Sequence, residues 1–423
     1  MLRRPTPIVH LAWIATLLCS TSPAIAAETD VAVSVRSLEP DWPQWRGPRR
    51  DGVCEETGLL PSWPTGGPKC LWTAAGIGKG YSSPIVANGT IHITGDKGEE
   101  LSIRALGLDG SSRWETTSGA SWTRSHPGSR ASCTYDDGHV YHMNAHGRVA
   151  CLDADTGREV WAMNMLDRFD GENITWGISE SLLVYKDRVF VTPAGAKGLV
   201  AALDKRTGAT IWATPPLTGE APSYPSPILI AAGNRHILVT AGARHAFAID
   251  ADTGELCWHT RHMDPDKAIV STPVLLNNRL VFTNVSHRFG ATYGVRADGG
   301  TGERAWSAEL SVGHGGLVGV DNRVIGASGR GVVKGWMAID PDSGSVTAVS
   351  DMRPGSVIYA DERYYCLMER GTMTLQKLTD DGFRMTGSFE FSEENDVWAH
   401  PVICQGRLYL RYHDKLFCYD IRR

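Results

Sequence analysis

The amino-acid sequence predicts an all-β fold, an eight-bladed β-propeller of four-stranded antiparallel blades. One phrase recurs along the chain: an apolar strand that ends in Asp-x-x-Thr-Gly or a close variant and is followed by a tryptophan. It is complete at 150–161 (ACLDADTGREVW) and returns at 202–212 and 248–258. The tryptophans at positions 114, 161, 212, 258 and 306 are 46 to 51 residues apart. Repeats of roughly 20–50 residues are typical of solenoids, propellers and arrays.

Short strand patterns open each unit and favour the propeller. The opening phrase reads SPIV at 83–86, SPIL at 226–229 and TPVL at 272–275. A polar turn and a second strand follow, as at 88–93 and 278–282. Three or four short strands per period, separated by Gly, Asn and Asp turns, predict an antiparallel meander. Radial repetition of such a meander gives a propeller.

The number of openings predicts the number of blades. The openings lie near Ser83, Ser132, Ser181, Ser226, Thr272, Gly316, Ser356 and His400. The last unit stops before its fourth strand, whereas the strand around Trp72 has no inner strands before it. We expect this N-terminal strand to complete the last blade, because a closed ring leaves no open sheet edge. Seven blades are the alternative, since the units near Gly316 and Ser356 lack the closing tryptophan.

The N-terminal region predicts export. Residues 1–26 have the form of a signal peptide, with Arg3 and Arg4, an apolar run at 8–18 and a cleavage site at 24–26. That run is too short to span a bilayer, so we expect a periplasmic or extracellular chain, cleaved near Ala26, with no transmembrane segment. Residues 27–40 are predicted as a flexible leader and 41–68 as an irregular lid rich in Trp and Pro. Residues 69–423 are predicted as a single propeller.

Charge and cysteine usage exclude several classes of protein. The formal net charge of −5 argues against nucleic-acid binding, which normally needs a basic face. Eight cysteines follow the signal peptide, without Cys-x-x-Cys or zinc-like spacing, so we expect no structural metal. Most are predicted as buried free thiols, and Cys54 with Cys70 is the one pair to test as a disulfide. We expect a monomer.

The repeated phrase A-x-D-x-x-T-G-x-x-x-x-W resembles the tryptophan-docking motif of quinoprotein-type propellers. Those include the pyrroloquinoline quinone (PQQ)-dependent alcohol dehydrogenases and the propeller lipoprotein of the outer-membrane β-barrel assembly machinery. WPQWRGP at 42–48, DGV at 51–53 and GYSSP at 80–84 resemble the PQQ-binding-like repeat proteins exported by planctomycete-type bacteria. The resemblance covers about residues 41–421. It implies a structural docking role for Trp72, Trp114, Trp161, Trp212, Trp258 and Trp306.

The same resemblance implies what a dehydrogenase of this kind would need: a catalytic aspartate, a calcium ion held by Glu, Asn and Asp oxygens, and in many members a disulfide between adjacent cysteines. The sequence has no adjacent cysteines, and Glu172-Asn173 is better explained as a solvated loop than as calcium ligands. Hydrolase, metalloprotease and P-loop motifs are also absent. We therefore expect no catalytic residues, no metal and no cofactor. The alternative is a PQQ- and Ca²⁺-dependent alcohol or sugar dehydrogenase.

Alignment of the units predicts a candidate binding site at the rim of the central channel. The residues just before the inner strands are Tyr81, Arg130, Ser179, Tyr224, Val270, His314, Pro354 and Trp398. Rings, a guanidinium and imidazoles there could bind a planar or anionic ligand or a peptide strand. The alternative is that they only fill the neck of the channel. The predicted binding residues are Tyr81, Arg124, His126, Arg130, Trp176, Tyr224, His314 and Trp398, and the partner is an unnamed envelope protein or small ligand.

Overall fold

The computed structural model describes residues 31–33, 41–261, 269–284, 292–296, 302–308, 311–330, 334–391 and 396–423. Their strands form eight antiparallel blades of four strands, two of which carry one extra strand. The predicted eight-bladed propeller is confirmed, and the seven-bladed alternative is wrong. The predicted signal peptide lies outside the described residues.

Three N-terminal strands precede the first complete blade: β1 (Val31–Val33), β2 (Val53–Cys54) and β3 (Lys69–Ala74).

The first four blades follow in chain order. Blade 1 contains β4 (Ile85–Ala87), β5 (Thr90–Lys97), β6 (Glu100–Gly107) and β7 (Ser112–Ala120). Blade 2 contains β8 (Thr134–Asp136), β9 (His139–Met143), β10 (Arg148–Asp153) and β11 (Glu159–Asn164), after which comes the short helix α1 (Met165–Phe169). Blade 3 contains β12 (Leu183–Tyr185), β13 (Arg188–Val191), β14 (Ala201–Asp204) and β15 (Thr210–Ala213). Blade 4 contains β16 (Ile228–Ala232), β17 (Arg235–Ala241), β18 (His245–Asp250) and β19 (Leu256–Arg261).

The last four blades complete the ring. Blade 5 contains β20 (Val274–Leu276), β21 (Arg279–Thr283), β22 (Thr292–Arg296) and β23 (Arg304–Ala308). Blade 6 contains β24 (Ser311–Val320), β25 (Arg323–Arg330), β26 (Gly335–Ile339) and β27 (Val346–Ser350). Blade 7 contains β28 (Gly355–Ala360), β29 (Arg363–Met368), β30 (Thr372–Thr379) and β31 (Gly382–Glu390). Blade 8 contains β32 (Val402–Cys404), β33 (Arg407–Tyr412) and β34 (Lys415–Asp420), and its outer strand is β3.

Blade 8 therefore joins the two ends of the chain. β3 pairs antiparallel with β34, with Lys69 opposite Asp420 and Thr73 opposite Phe417. Within the segment predicted as a leader, β1 pairs with the inner strand β16 of blade 4. β2, within the segment predicted as a lid, runs parallel to the inner strand β28 of blade 7. Among the described residues no helix is long and apolar enough to cross a membrane.

The repeated turn has a local physical cause. In blade 2 the carboxylate of Asp153 accepts hydrogen bonds from the backbone N–H of Thr156 at 2.9 Å and from its hydroxyl at 2.6 Å. Gly157 follows with φ +72°, a left-handed conformation that glycine adopts without steric cost. The turn thus presents a flat patch of backbone, onto which a large ring can pack.

Tryptophan rings of one blade lie on the turn glycines of the next. A β-carbon at Gly157 would lie 2.5 Å from the ring of Trp114, whose indole N–H donates to the carbonyl of Ala154 at 2.9 Å. Trp161 contacts Gly208 in the same way and donates to Lys205 at 2.9 Å. The pattern recurs where Trp72 faces Gly110, Trp212 faces Gly254, Trp258 faces Gly302 and Trp306 faces Gly344.

Blade 7 has no tryptophan of its own at this position, and the N-terminal segment supplies one. Gly387 of β31 stands where other blades carry the ring, and Trp63 lies directly over it, with its Cβ 2.7 Å from the place of a β-carbon. Trp63 is buried and packs against Phe389 and Tyr365, with ring centroids 5.3 Å and 5.8 Å away. The segment predicted as a lid therefore fills a gap in the repeat.

The cysteines of the N-terminal segment are free thiols in the structure. Cys54 is buried in β2, with its Sγ 3.9 Å from the carbonyl of Ile403, whereas Cys70 is exposed on β3. These two residues belong to strands of different blades, Cys54 beside blade 7 and Cys70 in blade 8. The structure therefore contains no disulfide between Cys54 and Cys70.

Candidate functional site

The rim of the channel, defined as the loops that lead into the inner strands, brings four predicted residues into one aromatic cluster. Trp398 is its centre. The ring of His314 stacks on it at 4.5 Å with an interplanar angle of 21°, and the ring of Tyr81 lies 4.7 Å away. His126 approaches the same indole at 5.2 Å. Tyr81, His126 and Trp398 precede the inner strands of blades 1, 2 and 8. His314 lies within the inner strand β24 of blade 6, between its paired residues Val312 and Leu317. The ring of blades itself therefore assembles the cluster.

Arg130 lies beside this cluster, held over an aromatic ring. Its guanidinium carbon is 5.1 Å from the ring of Trp122, and one nitrogen donates to the carbonyls of Ser125 at 3.2 Å and His126 at 2.8 Å. Burial lowers the pKa of Arg130 to about 10, and the nearby side chains of Tyr81 and Asp96 oppose that shift. Arg130 therefore stays cationic at neutral pH. Predicted Arg124 also lies over Trp122, at 5.6 Å, and is exposed.

A second aromatic pair occupies another part of the rim. Trp176 and Tyr224 have ring centroids 5.6 Å apart, and the phenol oxygen of Tyr224 accepts the backbone N–H of Trp176 at 3.4 Å. The indole of Trp176 is exposed. Burial raises the pKa of Tyr224, and Arg130 opposes that shift. Arg130 likewise opposes a rise in the pKa of Tyr81 caused by burial, so its charge acts on both aromatic groups.

A polar cavity next to the aromatic cluster was not predicted. Its volume is about 430 Å³, and its described lining is Arg353, Pro354, Glu369, Arg370 and Asp396. The carboxylate of Glu369 lies 3.8 Å from the Nδ1 of His314, so the cavity and the cluster are continuous. Glu369 and Arg370 do not lie near an aligned position. Arg353 and Asp396, in contrast, lie within two positions of the aligned residues Pro354 and Trp398. That proximity was the one signal in the sequence that could have identified them.

The centre of the propeller is occupied by residues 42–54, here called the plug, which contact the inner strands or the residues just before them. The backbone N–H of Trp42 donates to Val86 of blade 1 at 2.8 Å, and the carbonyl of Pro43 accepts from Tyr135 of blade 2 at 2.8 Å. The indole N–H of Trp45 donates to the hydroxyl of Thr272 at 2.9 Å, at the entrance to blade 5. Val86 and Tyr135 belong to the inner strands β4 and β8, and Thr272 comes two positions before β20.

Two buried arginines of the plug reach the remaining blades. Arg50 donates to the carbonyls of Ser181 at 2.6 Å, Leu182 at 2.9 Å and Pro227 at 2.6 Å, which lead into blades 3 and 4. Arg46 donates to the carbonyl of Leu317 in blade 6. The plug therefore contacts blades on every side of the channel.

Arg46 also links the plug to the rim. It donates to the carbonyl of Val357 in blade 7 at 3.4 Å and to the Nδ1 of His400, at the entrance to blade 8, at 2.9 Å. The Nε2 of His400 in turn donates to the carbonyl of His314 at 2.8 Å. Burial lowers the pKa of His400 to about 3, with a further lowering from Arg46. The neutral ring is thus fixed with its proton on Nε2.

Buried acids accompany these arginines. Burial raises the pKa of Glu180 to about 8, although Thr192 donates to its carboxylate and Arg50 attracts its charge. Nearer the rim, burial raises the pKa of Asp96 to about 6, against the opposing effect of a hydrogen bond from the backbone of Trp122. Sequence reasoning missed Arg46, Arg50 and His400, because they bind partners far away in the chain. It also missed Glu180, whose partner Thr192 lies twelve positions further on.

Several polar groups in and beside the channel are bonded to the protein itself. Among the described ranges, no three His, Cys, Asp or Glu side chains are close enough to hold a metal ion together. The amide of Asn173 is engaged with the backbone of Ala145 and Ile174, at 2.9 Å and 2.8 Å. The guanidiniums of Arg46 and Arg50 are engaged with backbone carbonyls within the channel. The rim offers an aromatic cluster with charged side chains beside it.

Comparison with known families gives a match over most of the chain. The model of the family described as outer membrane protein assembly factor BamB matches residues 55–193 and 99–346. BamB from Moraxella catarrhalis has a similar crystal structure, with a TM-score of 0.60 and 16% sequence identity. That similarity covers 84% of this chain and 98% of the BamB chain.

Curated relatives match over shorter segments. The lanthanide-dependent methanol dehydrogenase of Methylacidiphilum fumariolicum is 37% identical over 82 residues, which is 18% of this chain. The quinohemoprotein alcohol dehydrogenase ADH IIB of Pseudomonas putida is 26% identical over 155 residues, which is 34% of this chain. The matched segments span only 13% and 21% of those two enzymes.

Proposed function

Because the chain belongs to the PQQ-like propeller family described as outer membrane protein assembly factor BamB, we propose that it is an exported, non-catalytic binding or scaffold module. In this proposal residues 1–26 are a signal peptide, and the mature chain is a periplasmic or extracellular monomer. Its partner is an envelope protein or a small ligand. The rim of the propeller is the binding face.

One observation carries the proposal: an aromatic cluster lies at the rim, while the plug occupies the centre of the propeller. His314 and Trp398 are stacked at 4.5 Å, and His126 beside them is exposed. Exposed aromatic side chains with a polar edge are favoured in recognition sites, because they supply contact area at little conformational cost.

The alternative function, a PQQ-dependent dehydrogenase, predicts different chemistry in the same channel. It would need calcium ligands and space along the channel axis, where Arg46 and Arg50 of the plug lie. A spectral titration of the mature protein with PQQ and Ca²⁺, with alcohols and an artificial electron acceptor, separates the two. We expect no stoichiometric binding and no turnover. Tight binding with turnover would overturn the scaffold proposal.

A second experiment tests the binding face directly. A photo-crosslinking amino acid is placed at exposed His126 on the rim and, in a matched control, at exposed Ile211 on the outer strand β15. Irradiation of the intact envelope should give adducts from position 126 and none from position 211. Adducts from position 211 alone would contradict the proposed face.

A further inference from the structure

The loops that lead into blades 2 and 3 meet at the indole of Trp122. This side chain is buried, and its N–H donates to the carbonyl of Ser125 at 3.0 Å. In the loop before blade 3, a β-carbon at Gly177 would lie 2.9 Å from the same ring. The two loops therefore form one surface of the rim. We call it the basic patch, and its side chains are those of Arg124, His126, Arg130 and Trp176.

Arg124 presents its guanidinium to solvent. The side chain is exposed, and its guanidinium carbon lies 5.6 Å from the centre of the Trp122 ring. Among the described residues it forms no hydrogen bond or ion pair, whereas Arg130 donates to carbonyls of its own loop, including that of His126 at 2.8 Å. The contact with the indole favours one position for the cation. Its N–H groups are therefore available to a carboxylate, which a guanidinium binds through two parallel hydrogen bonds.

The positive charge of the basic patch comes from its blade 2 side. Residues 121–130 contain two arginines and no Asp or Glu. The carboxylate of Asp96 lies against this loop, where it accepts the backbone N–H of Trp122 at 2.9 Å, and burial raises its pKa to about 6. The acids Asp170 and Glu172 belong to the segment before blade 3. Complementary charges stabilise a complex, so a partner with carboxylates is favoured on the blade 2 side and one with lysines is disfavoured.

Trp176 supplies an apolar anchor beside this charge. Among the described tryptophans it alone is exposed, at 40%. Its backbone N–H donates to the phenol oxygen of Tyr224 at 3.4 Å, and Gly177 follows against the ring of Trp122. Tryptophan and arginine are among the residue types that most often dominate the binding energy of protein interfaces. A pair of this kind spread over two loops suits an extended segment that crosses both.

We propose that the basic patch docks an extended acidic segment of an envelope protein. A carboxylate of that segment pairs with Arg124, and an apolar side chain packs on Trp176. The inference rests on the proposed function, since it names the part of the rim that binds and the chemistry of the partner. An anionic membrane surface is the competing partner, but such a surface attracts clusters of several Lys and Arg. The basic patch has two arginines, and Arg130 is half-buried.

The test is selection from a library of random peptides displayed on phage, with the full mature chain as bait. The selected peptides should be rich in Asp and Glu beside apolar residues. For the tightest of them, Arg124→Gln and Trp176→Ala should each weaken binding by at least about tenfold, measured by fluorescence anisotropy. Arg158→Gln is the matched control, because Arg158 is also exposed but lies in the turn between β10 and β11, outside the rim loops. It should leave binding unchanged.

Peptides in which each Asp or Glu is replaced in turn by its amide locate the carboxylate that contacts Arg124. One of these replacements should weaken binding to the wild-type chain and have little further effect on Arg124→Gln, because groups in contact give non-additive losses. If every replacement added to the loss in Arg124→Gln, the carboxylates would lie elsewhere and the proposed contact would be overturned.

The outcomes separate this inference from the function on which it rests. Selected peptides without acidic residues, or no selected peptide at all, would overturn the acidic segment, while adducts from a photo-crosslinker at His126 would still support the rim as the binding face. Co-sedimentation with vesicles of phosphatidylethanolamine and phosphatidylglycerol in equal parts, if lost in Arg124→Gln, would replace the protein partner by a membrane. Missing adducts from position 126, or PQQ-dependent turnover, would overturn the proposed function itself. Circular dichroism of each variant shows that it is folded.

Discussion

Arg50 is the side chain that ties the plug to two blades at once. It is 1% exposed, and all three of its nitrogens donate, to Pro227, to Ser181, and to Leu182 and Gln44. Burial lowers its pKa to about 9, so it keeps its charge at neutral pH and depends on these acceptors. A buried cation with several charge-assisted hydrogen bonds is costly to remove, because the acceptors stay buried and lose their donor.

Replacement of this residue should therefore destabilise the protein strongly. We expect Arg50→Leu to lower the free energy of unfolding by about 3 kcal/mol or more. Arg49→Leu is the control, because the neighbouring Arg49 pairs with Asp51 and Glu55 near the surface and such pairs contribute about 1 kcal/mol or less. Urea unfolding of both variants measures the difference. Equal losses would contradict the view that Arg50 anchors the plug.

Glu180 gives stability a pH dependence of a definite sign. Burial raises the pKa of its carboxyl group to about 8, from the ordinary glutamate value of 4.5. Between those values the native state holds a proton that the unfolded state has released, so the free energy of unfolding falls as pH rises through that window. In Glu180→Gln the amide can replace both contacts with Thr192 and carries no charge.

The variant should remove this part of the pH dependence. Relative to Glu180→Gln, the wild-type protein should lose about 3 kcal/mol of unfolding free energy between pH 5 and pH 8. Other titrating groups cancel, because they are the same in both proteins. Chemical denaturation at pH 5, 6.5 and 8 gives the two curves. Parallel curves would mean that Glu180 is ionised in the folded protein at pH 5 already.

At the scale of the element, the repeated turn and the ring packed on it form one unit. Gly208 and Gly89 have nearly the same backbone conformation, with φ +70° and +68°. A β-carbon at Gly208 would lie 2.6 Å from the ring of Trp161, whereas a β-carbon at Gly89 would meet nothing within 4 Å. The two glycines therefore separate the cost of backbone conformation from the cost of displacing the tryptophan.

Alanine substitution at both positions measures the second cost. Gly89→Ala should destabilise by about 1 kcal/mol, from the left-handed backbone alone. Gly208→Ala should add roughly 1–3 kcal/mol, because the new methyl group forces the ring of Trp161 from its place. Thermal and urea unfolding of the two variants gives the difference. If the two losses were equal, the contact between ring and turn would contribute nothing to blade packing.

For the whole molecule, the sequence was most informative where the structure repeats. The Asp-x-x-Thr-Gly turn and its tryptophan are local patterns, so their spacing was sufficient to predict eight blades, now confirmed, and a rim at which Tyr81, His314 and Trp398 meet. The plug could not be predicted in this way. Arg50 donates to backbone carbonyls more than 130 positions away. Every residue has a backbone carbonyl, so the residue type does not identify these acceptors. Trp63 likewise fills a gap in blade 7 that only the register of β31 reveals.

The N-terminal segment performs three separate tasks, and truncation separates them. β3 completes blade 8, Trp63 covers Gly387 of blade 7, and the plug contacts the inner strands. A chain that begins at Ala27 keeps all three. One that begins at Gly66 keeps β3 alone, and one that begins at Ala75 keeps none. Light scattering after size-exclusion chromatography, together with thermal unfolding, measures what each loss does.

The three chains should differ in kind as well as in degree. The chain from Ala27 should be a monomer with one cooperative transition. The chain from Gly66 should stay monomeric and unfold at a lower temperature, because it loses the buried contacts of Arg46, Arg50 and Trp63. The chain from Ala75 exposes the unpaired edge of β34, and open edges pair with other chains, so it should form oligomers. A monomeric chain from Ala75 with an unchanged transition would show that the ring closes without β3.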